Sequence, residues 1–290
     1  MSPTLIITCG PTASGKSKLP TKVKKYLKLK GGFQSFLIDD LVEQNPHFID
    51  KVKEFIQTQK NKSKTKKQIV DMFLNPSEKT IKTFNYYYTS ARKTTNCKTG
   101  VDLHYDWGNS CDILNDLSLT RAFNSGKNIA FESRGVSWPQ WFFDLFQCQL
   151  KQHNYTIIVA WTVVDMCALL ERNIHRAKKN VEEFLKSASN PPPRLPDIRI
   201  DAYSHDLKQI IQTFQEQNRK QSKCKQNCIQ LLVFDNNGKK SKLLYDNKIH
   251  SVEIGNKAIE QYNVSTNNTC NKSKKNIKSG LRNKTRKTKR

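Results

Sequence analysis

The chain has 290 residues and carries 50 Lys and Arg against 25 Asp and Glu, a formal net charge of +25. No apolar run approaches the ~18 residues that a membrane-spanning helix needs, so a helical membrane protein is excluded, and a 36% hydrophobic content supports a core with polar inserts or a tail. So basic a chain favours polyanionic partners, nucleic acid or phosphorylated substrates, although its Lys- and Asn-rich composition is also what an AT-rich genome produces.

The first element is a short apolar strand, Leu5-Ile6-Ile7-Thr8, which runs straight into Gly10-Pro11-Thr12-Ala13-Ser14-Gly15-Lys16-Ser17. This is G-x-x-x-x-G-K-S between a strand and a helix, the phosphate-binding loop in its required context. Gly10 and Gly15 let successive backbone N–H groups turn towards one phosphate, next to a helix N-terminus. Lys16 supplies a point charge for the β and γ phosphates, and the Ser17 hydroxyl is a ligand for Mg²⁺. The segment therefore predicts a bound nucleoside triphosphate.

Residues 16–28 read as the first helix, ended by Gly31-Gly32. Residues 35–39 read as a second strand that delivers Asp39 and Asp40 at its carboxyl end, with a helix beginning near Leu41. Helical periodicity follows over 47–60, 68–74 and 78–92, interrupted by a lysine-rich turn and by Pro76. Residues 94–109 read as a loop and 111–123 as a helix. A buried strand over 128–131 ends at Glu132, followed by Ser133, Arg134 and an aromatic-rich helix over 137–152. Residues 155–164 form the next strand, and Asp165 is a helix cap rather than a metal ligand, because a long helix to about 187 follows at once. The segment Pro191-Pro192-Pro193-Arg194-Leu195-Pro196 is a rigid loop before a helix over 198–218. Strands at 228–234 and 242–245 flank Asn236-Asn237-Gly238, a hairpin signal.

Strands alternating with helices predict a doubly wound, mostly parallel α/β sheet closed by a hairpin, with ligands at the carboxyl ends of its strands. The phosphate loop, Asp39, Asp40 and Glu132 should converge there. A domain over 1–248 with a helical insertion at about 47–109 is expected, then a basic tail over 249–290. Beyond about 265 the tail carries ten Lys and Arg and no acidic residue, the composition of a disordered segment; removing those ten from +25 leaves +15 for the rest. The eight cysteines are scattered without zinc spacing, which predicts free thiols in an intracellular protein. The N-terminus has no positive segment before an apolar one, so no secretory signal is expected.

No N-K-x-D guanine signature is present. The loop string by itself resembles that of tRNA isopentenyltransferases, but the Asp-Ser that follows their second strand is Asp39-Asp40 here. A broader resemblance is to the zeta-toxin-like kinases over about 5–246. It rests on Ile38-Asp39-Asp40 ahead of Asn45-Pro46, on Gly126 leading to Ile129-Ala130-Phe131-Glu132-Ser133-Arg134, on Glu171-Arg172, on Arg194 in its proline loop and on the closing hairpin. The resemblance implies a three-layer P-loop NTPase/kinase fold and transfer of the γ phosphate of ATP, with Mg²⁺, to a hydroxyl. It implies Asp40 or Asp39 as the base, and Arg172 and Arg194 as stabilisers of the transferring phosphoryl group. Asp116, Glu132, Ser133 and Arg134 fall where that family grips its acceptor, with Arg134 replacing a small hydroxyl residue. The acceptor is a nucleotide-sugar, a nucleotide or a nucleic acid, and an antitoxin-like partner is left open. A nucleic-acid-associated ATPase without an acceptor is the alternative.

Overall fold

The computed structural model describes residues 2–104, 107–133, 154–195, 211, 229–238, 241–251, 253–257 and 259–260. The expected helix over 137–152, that over 198–218 apart from Ile211, Arg134 and the residues after 260 lie outside them, as do Cys148, Cys224, Cys228 and Cys270.

Six strands form one sheet: β1 (Thr4–Cys9), β2 (Gln34–Phe36), β3 (Ile129–Glu132), β4 (Thr156–Val163), β5 (Gln230–Asp235) and β6 (Lys242–Asp246). Their order is β2-β3-β1-β4-β5-β6, parallel throughout except for the β5–β6 hairpin. β1 is central and buried along its whole length, as its unbroken apolar run requires of a parallel strand covered on both faces. Period-two alternation then assigns the two cores. Leu5, Ile7, Ile157, Val159, Leu231 and Val233 pack on one face with Ala122 and Phe123 of α6 (Cys111–Asn124). Ile6, Ile158, Ala160, Leu232 and Phe234 pack on the other with Leu19 and Val23 of α1 (Leu19–Tyr26). The result is a helix–sheet–helix arrangement with the carboxyl ends of five parallel strands along one edge.

Between β2 and α6 the chain adds α2 (Ile38–Gln44), α3 (Pro46–Asn61), α4 (Lys66–Leu74) and α5 (Glu78–Lys93). These helices bury their own core, centred on Phe48, Phe55, Phe73 and Phe84, with rings of Phe55, Phe73 and Phe84 meeting edge to face. The long helix α7 (Met166–Lys186) joins the two regions. Leu169 packs with Val164 at the end of β4, while Val181 and Phe184 enter the helical core beside Val42. Asp165 caps α7, accepting from the N–H groups of Cys167 (2.9 Å) and Ala168 (3.0 Å).

Four sequence expectations are corrected. The second strand is only three residues long, and α2 begins at Ile38, so Asp39 and Asp40 sit in the first turn of a helix instead of at a strand end. Carboxylates there are favoured by the helix dipole, which local apolarity at Ile38 concealed. The first helix begins as a 3-10 turn at Lys16–Lys18 and becomes α-helical only at Leu19. Residues 94–109 are not a bare loop but contain a bridge between Thr95 and Asp102 and a 3-10 turn at Trp107–Asn109. The cysteines are not all free: Cys97 and Cys111 form a disulfide, and Cys167 is disulfide-bonded as well, leaving buried Cys9 as a free thiol. The Cys97 N–H bonds to the carbonyl of Asn109 (2.9 Å), and this return of the chain brings the two sulfurs together.

Candidate active site

The loop between β1 and α1 is shaped by backbone positions that few residues tolerate. Gly10 and Gly15 have φ of 133° and 88°, where a side chain is strained. A Cβ on Gly10 would strike the Thr162 hydroxyl, and one on Gly15 would strike the Asn236 amide. Ser14 is buried and accepts from Thr162 Oγ1 at 2.5 Å. The Asn236 side chain donates to the carbonyl of Ser14, also at 2.5 Å, and accepts from Lys22 (2.9 Å). Pro11, Thr12 and Ala13 form the crest of the loop, where Asn173 of α7 donates to the carbonyl of Thr12 at 3.3 Å. The loop is thus pinned from the hairpin, from β4 and from α7.

Lys16 is buried and folds back: its Nζ donates to the Gly10 carbonyl (2.9 Å) and pairs with Glu132 at 3.3 Å. The pairing follows from the register, which sets Thr8 beside Glu132, and Ser133 is tied to the same strand by its N–H on the carbonyl of Thr8 (2.8 Å). Ser17 is exposed in the 3-10 turn. Its hydroxyl suits Mg²⁺, a hard cation that keeps several waters and needs few protein oxygens. Among the described residues no group of three or more His, Cys, Asp or Glu side chains could hold a metal by itself.

A second cluster is organised by Arg194, at the end of the triple-proline segment. Its guanidinium pairs with Asp39 at 2.6 Å and with Glu43 at 2.5 Å, one turn apart on α2, and lies 5.9 Å from the centre of the Tyr88 ring. The Tyr88 hydroxyl donates to the same Asp39. Burial, and then the Asp39 charge, push the Tyr88 phenol up, so it donates as a neutral group. Asp40 is exposed, and its side chain makes no hydrogen bond among the described residues. Burial raises its pKa and the neighbouring Asp39 charge adds to this, while Arg194 opposes it.

Arg172 does not share that cluster. It donates to the carbonyls of Asn236 (3.0 Å) and Asn237 (3.4 Å) in the hairpin turn, against the donor side of the loop. Asp116 is exposed on α6, one turn beyond Asp112, which pairs with Arg92 at 2.5 Å. Glu43, Tyr88, Asn173 and Asn236 are site residues that sequence reasoning missed. One of them had a signal, since Glu43 follows Asp39 at helical i,i+4 spacing.

The chain matches no protein-family model and no curated protein. Among solved structures it is similar to one from the PezAT chromosomal toxin–antitoxin system of Streptococcus pneumoniae. That likeness has 12% identity and a TM-score of 0.46 over 90% of this chain and 87% of that one. A second similar structure is of a Chloroflexus aurantiacus protein provisionally described as a kinase, with 15% identity and a TM-score of 0.33 over 76% of this chain and 97% of that one. Likenesses at this level carry no chemistry. The chain is a mostly parallel α/β protein with a phosphate-binding loop at the carboxyl edge of its sheet, and its site is read from its own residues.

Proposed function

We propose that the chain is an ATP-dependent phosphotransferase of the zeta-toxin-like kind, passing the γ phosphate of ATP to a hydroxyl. The observation that carries this reading is the pairing of a buried phosphate-loop lysine with a strand-end carboxylate, Lys16–Glu132, on the edge where α2 presents an unengaged Asp40. Entry of a triphosphate would draw Lys16 from Glu132 to the phosphates, and Mg²⁺ held by Ser17 and phosphate oxygens would neutralise part of their charge. The acceptor oxygen attacks the γ phosphorus, the bond to the β–γ bridging oxygen breaks with its electrons left on ADP, and the acceptor proton passes to Asp40. Asp39, committed to Arg194 and Tyr88, orients the helix that carries the base. Arg194 and Arg172 stand by to meet the phosphates. Glu132, Ser133 and Asp116 are assigned to the acceptor side.

The acceptor class we favour is polyanionic, a nucleotide or nucleic-acid hydroxyl, because the chain before about residue 265 still carries +15 once the ten charges beyond it are removed from +25. The test is transfer of label from γ-labelled ATP to sugar nucleotides, nucleosides and 5′-hydroxyl oligonucleotides. Label on an acceptor, lost in Asp40→Asn and in Lys16→Ala, supports the reading. Release of free phosphate alone would make the chain an ATPase, and unchanged transfer in Lys16→Ala would remove the reading altogether.

A further inference from the structure

The turn between α3 and α4 holds five lysines in eight residues, Lys60, Lys62, Lys64, Lys66 and Lys67, and no acidic residue stands between Glu54 and Asp71. The acids on either side of it in the chain are already engaged. Asp50 pairs with Lys53 (3.2 Å), Glu54 with Lys51 (2.8 Å) and Glu78 with Lys82 (2.9 Å), while Asp71 accepts from the Asn75 amide at 2.8 Å. Lys60, Lys62, Lys66 and Lys67 are exposed, and their ammonium groups make no ion pair or hydrogen bond among the described residues.

The backbone of this corner is fixed at both ends. Ser63 sits at φ 57°, its N–H bonds to the Lys60 carbonyl (2.8 Å) and that of Lys64 to the Gln59 carbonyl (3.2 Å), the pair of bonds that closes a helix end. Two residues later Thr65 opens α4 with a capping box: its hydroxyl accepts from the Gln68 N–H (3.3 Å), and Gln68 Oε1 accepts from the Thr65 N–H (2.8 Å). Lys64 donates to Met72 Sδ at 3.1 Å, and buried Ile56 and Ile69 seat both helices in the helical core. Four ammonium groups are therefore presented together on a set frame. Lys66 and Lys67 moreover occupy the first turn of α4, which holds no acid, and there the helix dipole disfavours cations. Charge concentrated in this way finds no compensation within the described chain and is matched to an anion that arrives from outside.

The side chains between the lysines say which anion. Asn61, Ser63, Thr65 and Gln68 are exposed, and groups of this kind bond phosphate oxygens. No exposed large apolar residue lies between 57 and 68, so the corner lacks the anchor by which a basic surface enters a lipid headgroup layer. It also lacks arginine and aromatic residues, the groups that read base edges or stack on bases. We infer that the α3–α4 corner docks the sugar–phosphate backbone of a nucleic acid, without regard to base sequence. The surface is separate from the phosphate loop and stands whether or not the chain transfers phosphate, so Lys16→Ala should bind nucleic acid as wild type does.

The test measures binding of the full-length chain, over a series of salt concentrations, to a fluorescein-labelled DNA duplex of about 20 base pairs and to an RNA strand of similar length. One variant combines Lys60→Gln, Lys62→Gln, Lys66→Gln and Lys67→Gln. A control combines Lys25→Gln, Lys28→Gln, Lys30→Gln and Lys127→Gln, exposed lysines at the amino edge of the sheet. Both remove the same charge, and both should melt no lower than wild type. The control should keep wild-type affinity for the probes within about threefold, while the corner variant should bind at least about tenfold more weakly at about 0.1 M salt. Its slope of log affinity against log salt on the duplex should be shallower by about 3 to 4, as for four phosphates no longer neutralised. Equal losses in the two variants would reduce the effect to net charge and overturn the inference, as would an unchanged corner variant. A wild type that binds neither probe would also overturn it, and binding to phosphatidylserine vesicles in its place would make the partner a membrane.

Discussion

Asp39 and Asp40 are adjacent in sequence and differ in everything that matters for chemistry. Asp39 is held by Arg194 and Tyr88, while the Asp40 side chain reaches solvent and is only partly desolvated, which with the Asp39 charge raises its pKa against the opposing pull of Arg194. A general base works only when deprotonated, so activity should fall as the pH drops through the Asp40 pKa. Removing the like charge by Asp39→Asn should lower that pKa and move the acid limb of kcat/KM to lower pH. Removing the opposing cation by Arg194→Ala should move the limb to higher pH. Shifts in the same direction in both variants, or no shift in either, would mean that Asp40 is not the base. Gly15 gives a second prediction at this scale. At φ 88°, with the Asn236 amide where a Cβ would stand, Gly15→Ala should cost about 1–3 kcal/mol of strain. It should also abolish nucleotide binding, measured by titration with a fluorescent ATP analogue, because the Asn236 bond to Ser14 cannot survive beside a methyl group.

The helices between β2 and α6 are held by their own core, yet that core includes Val42 of α2 and Val181 and Phe184 of α7. Packing of this kind makes the helices and the sheet one cooperative unit. Phe73 is fully buried, and Phe73→Ala should cost about 3–5 kcal/mol while preserving a single unfolding transition in denaturant. Two separated transitions would show the helices to be independent. The Cys97–Cys111 disulfide closes the segment between α5 and α6 at a separation of 14 residues. Loop-closure entropy at that length gives a stabilisation of about 3 kcal/mol, so Cys97→Ser should lower the denaturation midpoint. Buried Asn45 sits beside this bridge, donating to the carbonyl of Ala91 (2.8 Å) and to Thr95 (3.1 Å) and accepting from the N–H of His47 (2.9 Å). It fixes the α2–α3 corner and so the direction of the helix that carries Asp40.

For the molecule as a whole, the excess of positive charge makes a prediction that the site does not. If polyanions are the partners, the chain and a version ending at residue 265 should both bind an oligonucleotide at low salt. Affinity should fall steeply with salt, and less steeply in the shorter version, since each phosphate neutralised adds about 0.9 to the slope. Absence of binding in both would refer the basic composition to codon usage. Sequence alone determined the phosphate loop, the alternation of strands and helices, the α7 cap at Asp165 and the hairpin at Asn236-Asn237, because each is encoded by neighbouring residues: turn chemistry, caps and apolar periodicity act within a few positions. Only the tertiary structure decided that Asp39 and Asp40 have different surroundings and that Glu43 and Tyr88 join Arg194. It also decided that Lys16 rests on Glu132 and that Cys97 meets Cys111. Those relations join residues from 14 to more than 150 positions apart. They are fixed by sheet order and helix packing, which no local spacing records, so the loop motif was legible in the sequence while the fold chose the groups around it.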